Sequence, residues 1–159
     1  LVVKNFPQAS LTIVGEGEEK KRLQALVLAL GLENQVNFTG EIAADKLTGF
    51  YCTSAALVLP SRNRYESFGI VQLEALACAT PVIVADLPGV SQLVKRYKIG
   101  LVFSPDNLDE LEDKITWIFD NPKAAGELGR IGQVVVAENH DVAKIVVQLE
   151  QLYQSVLRN

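Results

Sequence analysis

Apolar positions along the chain fall into two rhythms, short unbroken runs and longer stretches spaced every three or four residues. Leu11–Val14, Ala55–Leu59, Val82–Ala85 and Gly100–Phe103 are short apolar runs bounded by Gly, Pro, Ser or Asp, and each predicts a buried strand. Val36 and Phe38 alternate with polar neighbours and predict one more brief strand ahead of Thr39-Gly40. Glu18–Leu30 places Leu23, Leu26, Val27 and Leu30 at helical spacing and stops at Gly31, which predicts an amphipathic helix. Leu1–Phe6 reads as the tail of a helix ended by Pro7, and Asp45–Tyr51 as a short helix. The same spacing predicts helices over Ile70–Ala79 and around Val90, Leu93 and Val94. It predicts another over Asn107–Asp120, with Leu108, Leu111, Ile115, Ile118 and Phe119 inward. Pro122 fits the first turn of a helix that reaches about His140. Asp141–Leu157 completes the set, with Val146, Leu149, Leu152 and Tyr153 as its apolar stripe.

Strands alternating with helices predict an α/β fold, a Rossmann-like parallel sheet with helices on both faces. Such sheets bind ligands at the carboxyl ends of their strands. The chain has 159 residues and 48% apolar content, the size and composition of one folded domain, 1–159. A net charge of −4 argues against a nucleic-acid-binding face. No apolar run approaches the roughly 18 residues of a membrane helix, and no secretory signal is visible. Cys52 and Cys78 lack metal-type spacing and stand among small or apolar residues, so they are expected as reduced core thiols of a cytoplasmic domain. Trp117 is expected to pack inside, and His140, the single histidine, to cap a helix or lie on the surface.

Candidate chemistry concentrates between Leu57 and Ala85. A strand ends in Pro60-Ser61, a polar loop carries Glu66-Ser67-Phe68-Gly69, and a helix holding Glu74 follows before Pro81 and the next strand. A helix start leaves about four backbone N–H groups unpaired and carries roughly half a positive charge. Gly69 has no side chain to keep an anion such as a diphosphate from those donors. Were the step from Glu66 to Glu74 fully helical, it would span about 12 Å and turn about 80°, leaving both on one broad face. Ionised carboxylates accept hydrogen bonds, and sugar and ribose hydroxyls donate them. On the pair alone, solvated surface glutamates remain the alternative reading. Gly15-Glu16-Gly17 forms a tight turn after the first strand, but a dinucleotide fingerprint would need a third glycine.

The stretch PSRNRYESFGIVQLEALACATPVIVA resembles the signature of the retaining glycosyltransferases called group 1, or family 4, which have the GT-B fold. LTIVGEGEE, VNFTGEI, Tyr51 with Ala55–Pro60, and GLVFSPDN are similar to further segments of that family, so the resemblance covers nearly the whole chain. It implies the C-terminal, donor-binding half of such an enzyme, with Glu66 contacting the transferred sugar and Glu74 the ribose hydroxyls. It also implies that backbone groups of Phe68, Gly69 and Ile70 face the diphosphate, with Ser67 a further donor-binding residue. Gly15 and Gly17 would line the nucleotide end, and Glu41 and Ile42 would contact the base. The implied donor is a nucleotide-diphosphate sugar acting as substrate, with no cofactor and no metal. The implied partner is an N-terminal acceptor domain missing from this chain, with any peripheral membrane contact left to that domain.

Departures from the family pattern are visible. The family's basic pair, in a Gly-Arg…Lys-Gly stretch after the first strand of this domain, has no counterpart before Ser10, where Lys4 is the only base. The resemblance therefore implies a truncated domain that does not transfer sugar by itself. Ala79 stands where glycine is usual, Pro88-Gly89 where a glycine pair is common, and Gln92 where glutamate is frequent. The competing reading is a non-catalytic module of the same fold that binds nucleotide sugar or serves assembly. A glycosidase using Glu66 and Glu74 is disfavoured, since its carboxylates flank one bond across a cleft at roughly 5 to 9.5 Å. A nucleotide-sugar epimerase is disfavoured by the want of a histidine-rich site.

Overall fold

A computed structural model describes residues 1–62 and 66–157. The chain divides into two compact units, Leu1–Leu47 and Thr48–Asn159.

The first unit holds α1 (Val2–Asn5), β1 (Leu11–Val14), α2 (Lys20–Ala29) and β2 (Val36–Gly40). The two strands pair in parallel, Leu11 opposite Val36 and Ile13 opposite Phe38, with a register shift before Val14 meets Gly40. Helix α2 is two residues shorter at its start than its apolar pattern predicts, and none of its residues is buried. Leu26 and Leu30, expected inside, are exposed, while Leu23 and Val27 are half-buried.

The unit boundary falls within α3 (Ala44–Thr53), which outruns the predicted Asp45–Tyr51 at both ends. The second unit continues with β3 (Leu57–Leu59), α4 (Ile70–Ala77), β4 (Val82–Ala85), α5 (Val90–Tyr97) and β5 (Gly100–Phe103). Three helices complete it, α6 (Leu108–Asp120), α7 (Pro122–Asn139) and α8 (Val142–Leu157). Its strands lie in the order β3-β4-β5, all parallel. Strand β3 begins at Leu57 rather than Ala55, and its three residues are half-buried, as suits an outer position.

Both faces of the central strand are covered, which is why β4 reads as an unbroken apolar run. Val82 and Val84 join Leu76 of α4 and Val90, Leu93 and Val94 of α5 in one core cluster. Ile83 and Ala85 point the other way, to Phe103, Ile118 of α6 and Ala125 of α7, with Trp117 packed at the margin. The fold is thus the expected Rossmann-like α/β arrangement. Leu108 departs from the expected inner face of α6, being 70% exposed in its first turn. Asn107, predicted as the first residue of this helix, is instead its N-cap, its Oδ1 accepting the Glu110 N–H at 3.1 Å. The α8 stripe is exposed throughout, Val146, Leu149, Leu152 and Tyr153 included.

Helix α4 ends two residues before the predicted Ala79. Cys78 is its C-cap, and Ala79 adopts φ +57°, the left-handed conformation that closes many helices and favours glycine. That geometry accounts for the glycine usual at this position. Helix α7 locks the closure: a Cβ on Gly129 would lie 1.9 Å from the Ala79 carbonyl oxygen, and one on Gly132 2.3 Å from Leu76 Cδ2. Gln133 Nε2 adds a hydrogen bond to the Ala77 carbonyl at 2.8 Å.

Candidate functional site

The loop between β3 and α4 leaves the carboxyl edge of the sheet, where an α/β fold places its ligands. Residues 63–65 of this loop lie outside the described residues. Gly69 is the N-cap of α4 with φ +75°, and it is buried. A Cβ there would approach Leu59 Cδ2 to 2.6 Å, and the left-handed backbone favours glycine.

Glu66 sits on the loop and its Oε1 accepts the Gly69 N–H at 2.8 Å. The two glutamates are therefore not joined by a continuous helix, because α4 starts only at Ile70. The carboxylate instead satisfies one donor at the helix start and lies against the positive end of the dipole. Ser67 is exposed, Phe68 half-buried, and the Ile70 side chain 67% exposed.

Gln72 holds this loop from beneath. Its fully buried Nε2 donates to the Phe68 carbonyl and, at 3.2 Å, to the Val90 carbonyl. One side chain thus fastens the start of α4 to the start of α5. Gly89 lets the two loops meet, since a Cβ on it would lie 2.0 Å from the Ser67 carbonyl oxygen. Asp86 fixes the second loop through Ser91 Oγ at 2.8 Å and Lys95 Nζ at 2.5 Å. Those bonds, Lys95 first and Ser91 next, hold the Asp86 carboxyl below its usual range.

Glu74 lies exposed on α4 between the half-buried Leu73 and the buried Ala75. Its Oε2 accepts a hydrogen bond from the Tyr51 hydroxyl at 2.8 Å. Tyr51 packs against the core cluster of α4 and α5, and Thr80 Oγ1 donates to its backbone carbonyl at 2.7 Å. Burial, then the bond to Glu74 and the charge of that carboxylate, raise the Tyr51 phenol well above its ordinary range, so it remains a donor. One bond from Tyr51 leaves most of the acceptor sites of the Glu74 carboxylate open to other donors.

The first unit gathers a separate group of the expected residues. Gly15, with φ +116°, donates its N–H to the Gly40 carbonyl at 2.8 Å, so the glycine turn after β1 rests on the end of β2. Gly40 has φ +70°, and a Cβ there would lie 2.8 Å from Glu16 Oε1. Gly17 and Glu41 are exposed and Ile42 is half-buried, all at the carboxyl ends of β1 and β2.

Three participants were not legible as site residues. Tyr51 and Gln72 act through partners distant in sequence or buried in a loop. His140 caps α7 as expected, but its ring also stands 6.0 Å from that of Phe68, centroid to centroid. Cys52 is exposed and Cys78 half-buried, which corrects the expectation of core thiols. Cys52 is the last residue but one of α3, a helix with no buried residues. Among the described residues, no three His, Cys, Asp or Glu side chains come together as a metal site. No helix among them is long and apolar enough to cross a membrane.

The β3–α4 loop and the start of α4 thus lie at the carboxyl edge of a parallel α/β sheet, with Glu66 on the loop and Glu74 on the helix. Residues 1–135 match the family described as Glycosyl transferases group 1, and the chain belongs to that family. It is 29% identical over 147 residues to an uncharacterised glycosyltransferase of Haemophilus influenzae, a match over 92% of this chain and 40% of the relative. Sucrose-phosphate synthase from Thermosynechococcus elongatus superposes with TM-score 0.87 at 31% identity, over 99% of this chain and 41% of that one. Anabaena HepE, solved in complex with UDP-glucose, superposes with TM-score 0.84 at 27% identity, over 94% of this chain and 42% of that one. The chain therefore spans about two fifths of the length of these relatives.

Proposed function

We propose that this chain is the donor-binding domain of a retaining, metal-independent glycosyltransferase that moves a hexosyl group from a nucleoside diphosphate to an acceptor. The observation that carries the reading is the glycine-shaped turn at Phe68–Ile70, set between the carboxylates of Glu66 and Glu74. The diphosphate lies against the N–H groups that open α4, and Glu74, held by Tyr51, accepts from the ribose hydroxyls. Ser67 lines the same turn, while Gly15, Gly17, Glu41 and Ile42 serve the nucleotide end.

Glu66 has two roles in sequence. Without donor it occupies the Gly69 N–H. On binding, the diphosphate takes over that N–H, and the released carboxylate accepts from a hydroxyl of the sugar to be transferred. Exchange of one anion for another keeps the helix start neutralised throughout. When the sugar–phosphate bond breaks, negative charge grows on the leaving diphosphate, and the same amides stabilise it most at that point. Further positive charge comes from basic side chains on the remainder of the parent protein, whose N-terminal domain also supplies the acceptor site. This chain alone is accordingly expected to bind donor and not to turn it over. The site is cytoplasmic in this reading, as nucleotide-sugar supply and reduced thiols suit.

The test is a transfer assay on the full-length parent with a panel of nucleotide sugars, in the presence of a chelator, beside the same assay on this chain. Transfer by the parent with the anomeric configuration kept, and none by this chain, is the expected result. Inversion, loss of transfer with chelator, or equal turnover by the short chain would each contradict the corresponding part.

A further inference from the structure

The two cysteines come together at the opposite end of the second unit's sheet. Cys52 is on α3 and exposed, and Cys78 is the half-buried C-cap of α4. Both also line one cavity of about 270 Å³, with Ala55, Thr80, Pro81 and Phe119 among its walls. Ala55 precedes β3 and Pro81 precedes β4, so this cavity lies at the amino ends of the strands, away from the Glu66–Ile70 loop. Beside them Thr80 Oγ1 donates to the carbonyl of Tyr51, which ties the residue before Cys52 to the segment just after Cys78.

The environments of the two thiols differ. Burial, followed by the neighbouring Cys52 thiol, pushes the Cys78 thiol up. Cys52 meets solvent and is open to reagents. We propose that Cys52 and Cys78 form a dithiol modification site, in which Cys52 takes the first oxidation and Cys78 resolves it into a disulfide that joins α3 to α4.

The oxidant is a peroxide. The Cys52 thiol gives up its proton, the resulting thiolate attacks one peroxide oxygen, the O–O bond breaks, and Cys52 becomes a sulfenic acid while the departing hydroxide takes up that proton as water. The Cys78 sulfur then attacks the Cys52 sulfur, the S–O bond breaks, and the hydroxide leaves with the Cys78 proton as a second water. Two thiols and one hydrogen peroxide thus give one disulfide and two waters. The bond stands next to Tyr51 and one helical turn from Glu74, so on the donor-binding reading it clamps the two helices that orient the nucleotide carboxylate.

The experiment treats the reduced chain with hydrogen peroxide, blocks free thiols with iodoacetamide, and maps tryptic peptides without reductant. Peptides 47–62 and 65–95 are expected as one species, lighter than their sum by two hydrogen atoms and separated by dithiothreitol. Cys78→Ser is expected to leave a sulfenic acid on Cys52 that dimedone traps, and Cys52→Ser to leave Cys78 unoxidised. The oxidised wild-type chain is expected to melt at a higher temperature than the reduced chain, because closing the loop restricts the unfolded state. Three results would overturn the assignment: both cysteines alkylated after peroxide, links only between separate copies, or a lower melting temperature on oxidation. No readout uses a nucleotide, so the dithiol site and the donor site succeed or fail separately.

Discussion

Tyr51 and Glu74 meet across α3 and α4 at 2.8 Å, the phenol donating to the carboxylate. A long side chain on an exposed helix face samples several rotamers, and this bond holds Glu74 in one of them. The tyrosine is itself fixed, by Thr80 at its backbone and by the core beneath its ring.

Tyr51→Phe should keep the packing and remove only that bond. UDP affinity is expected to fall by about fivefold, corresponding to about 1 kcal/mol for one hydrogen bond. Calorimetry at neutral pH checks this. The phenol is raised in the folded state, so its contribution is complete below the ordinary tyrosine value near 10 and fades as pH climbs through the higher folded value. Wild-type protein should therefore lose stability relative to the phenylalanine variant only in strongly alkaline solution, and a divergence near neutrality would contradict the assignment.

Glu66→Ala separates the two roles proposed for that carboxylate. Losing the acceptor at the start of α4 is expected to cost about 1 kcal/mol of stability, read by thermal denaturation. UDP should bind as well as before or more tightly, since the Gly69 N–H is then free of an internal competitor. Preference for the intact nucleotide sugar over UDP should shrink. Weaker UDP binding with the preference unchanged would reverse the roles.

The strands and helices were legible where local pattern and tertiary surroundings agree. Val82–Ala85 reads as a buried strand because helices cover it on both faces, and Asn107 and Pro122 punctuate α6 and α7 as their chemistry dictates. Leu26, Leu30 and Leu108 were misplaced because periodicity shows which face is apolar, not whether anything covers it. At the candidate site, Glu66, Gly69 and Glu74 could be named from spacing and resemblance. Their partners could not: Tyr51 reaches Glu74 only through the packing of α3 on α4, and Gln72 reads as one polar residue in an apolar helix. The bond from Glu66 to Gly69 depends on a loop conformation that no periodicity encodes.

Ala79→Gly is expected to stabilise the chain. An L side chain in the left-handed conformation costs about 1–2 kcal/mol, and glycine loses about 0.5–1 kcal/mol more chain entropy on folding. The difference favours glycine by about 0.5–1 kcal/mol, visible as a higher denaturant midpoint with an unchanged slope. A lower midpoint would mean that the alanine methyl contributes packing that outweighs its backbone strain.

Gly89→Ala tests how the two loops support each other. The added methyl would fall 2.0 Å from the Ser67 carbonyl oxygen, at a backbone φ of +88°. A loss of about 2–3 kcal/mol of stability is expected. UDP affinity should fall as well, because relief of the clash displaces the turn that bears the N–H groups. Unaltered affinity in a destabilised variant would show that the turn holds its shape without the Asp86–Gly89 loop.

The most direct measurement follows the backbone amides themselves. Two-dimensional NMR of the labelled chain, titrated in turn with UDP, GDP and the bare nucleosides, reports each N–H along the Phe68–Ile70 turn. Saturable shifts of the Gly69 and Ile70 amides with at least one diphosphate, and none with its nucleoside, are predicted. Amides at that turn unmoved by either diphosphate, or shifts confined to other parts of the chain, would contradict diphosphate binding at the start of α4.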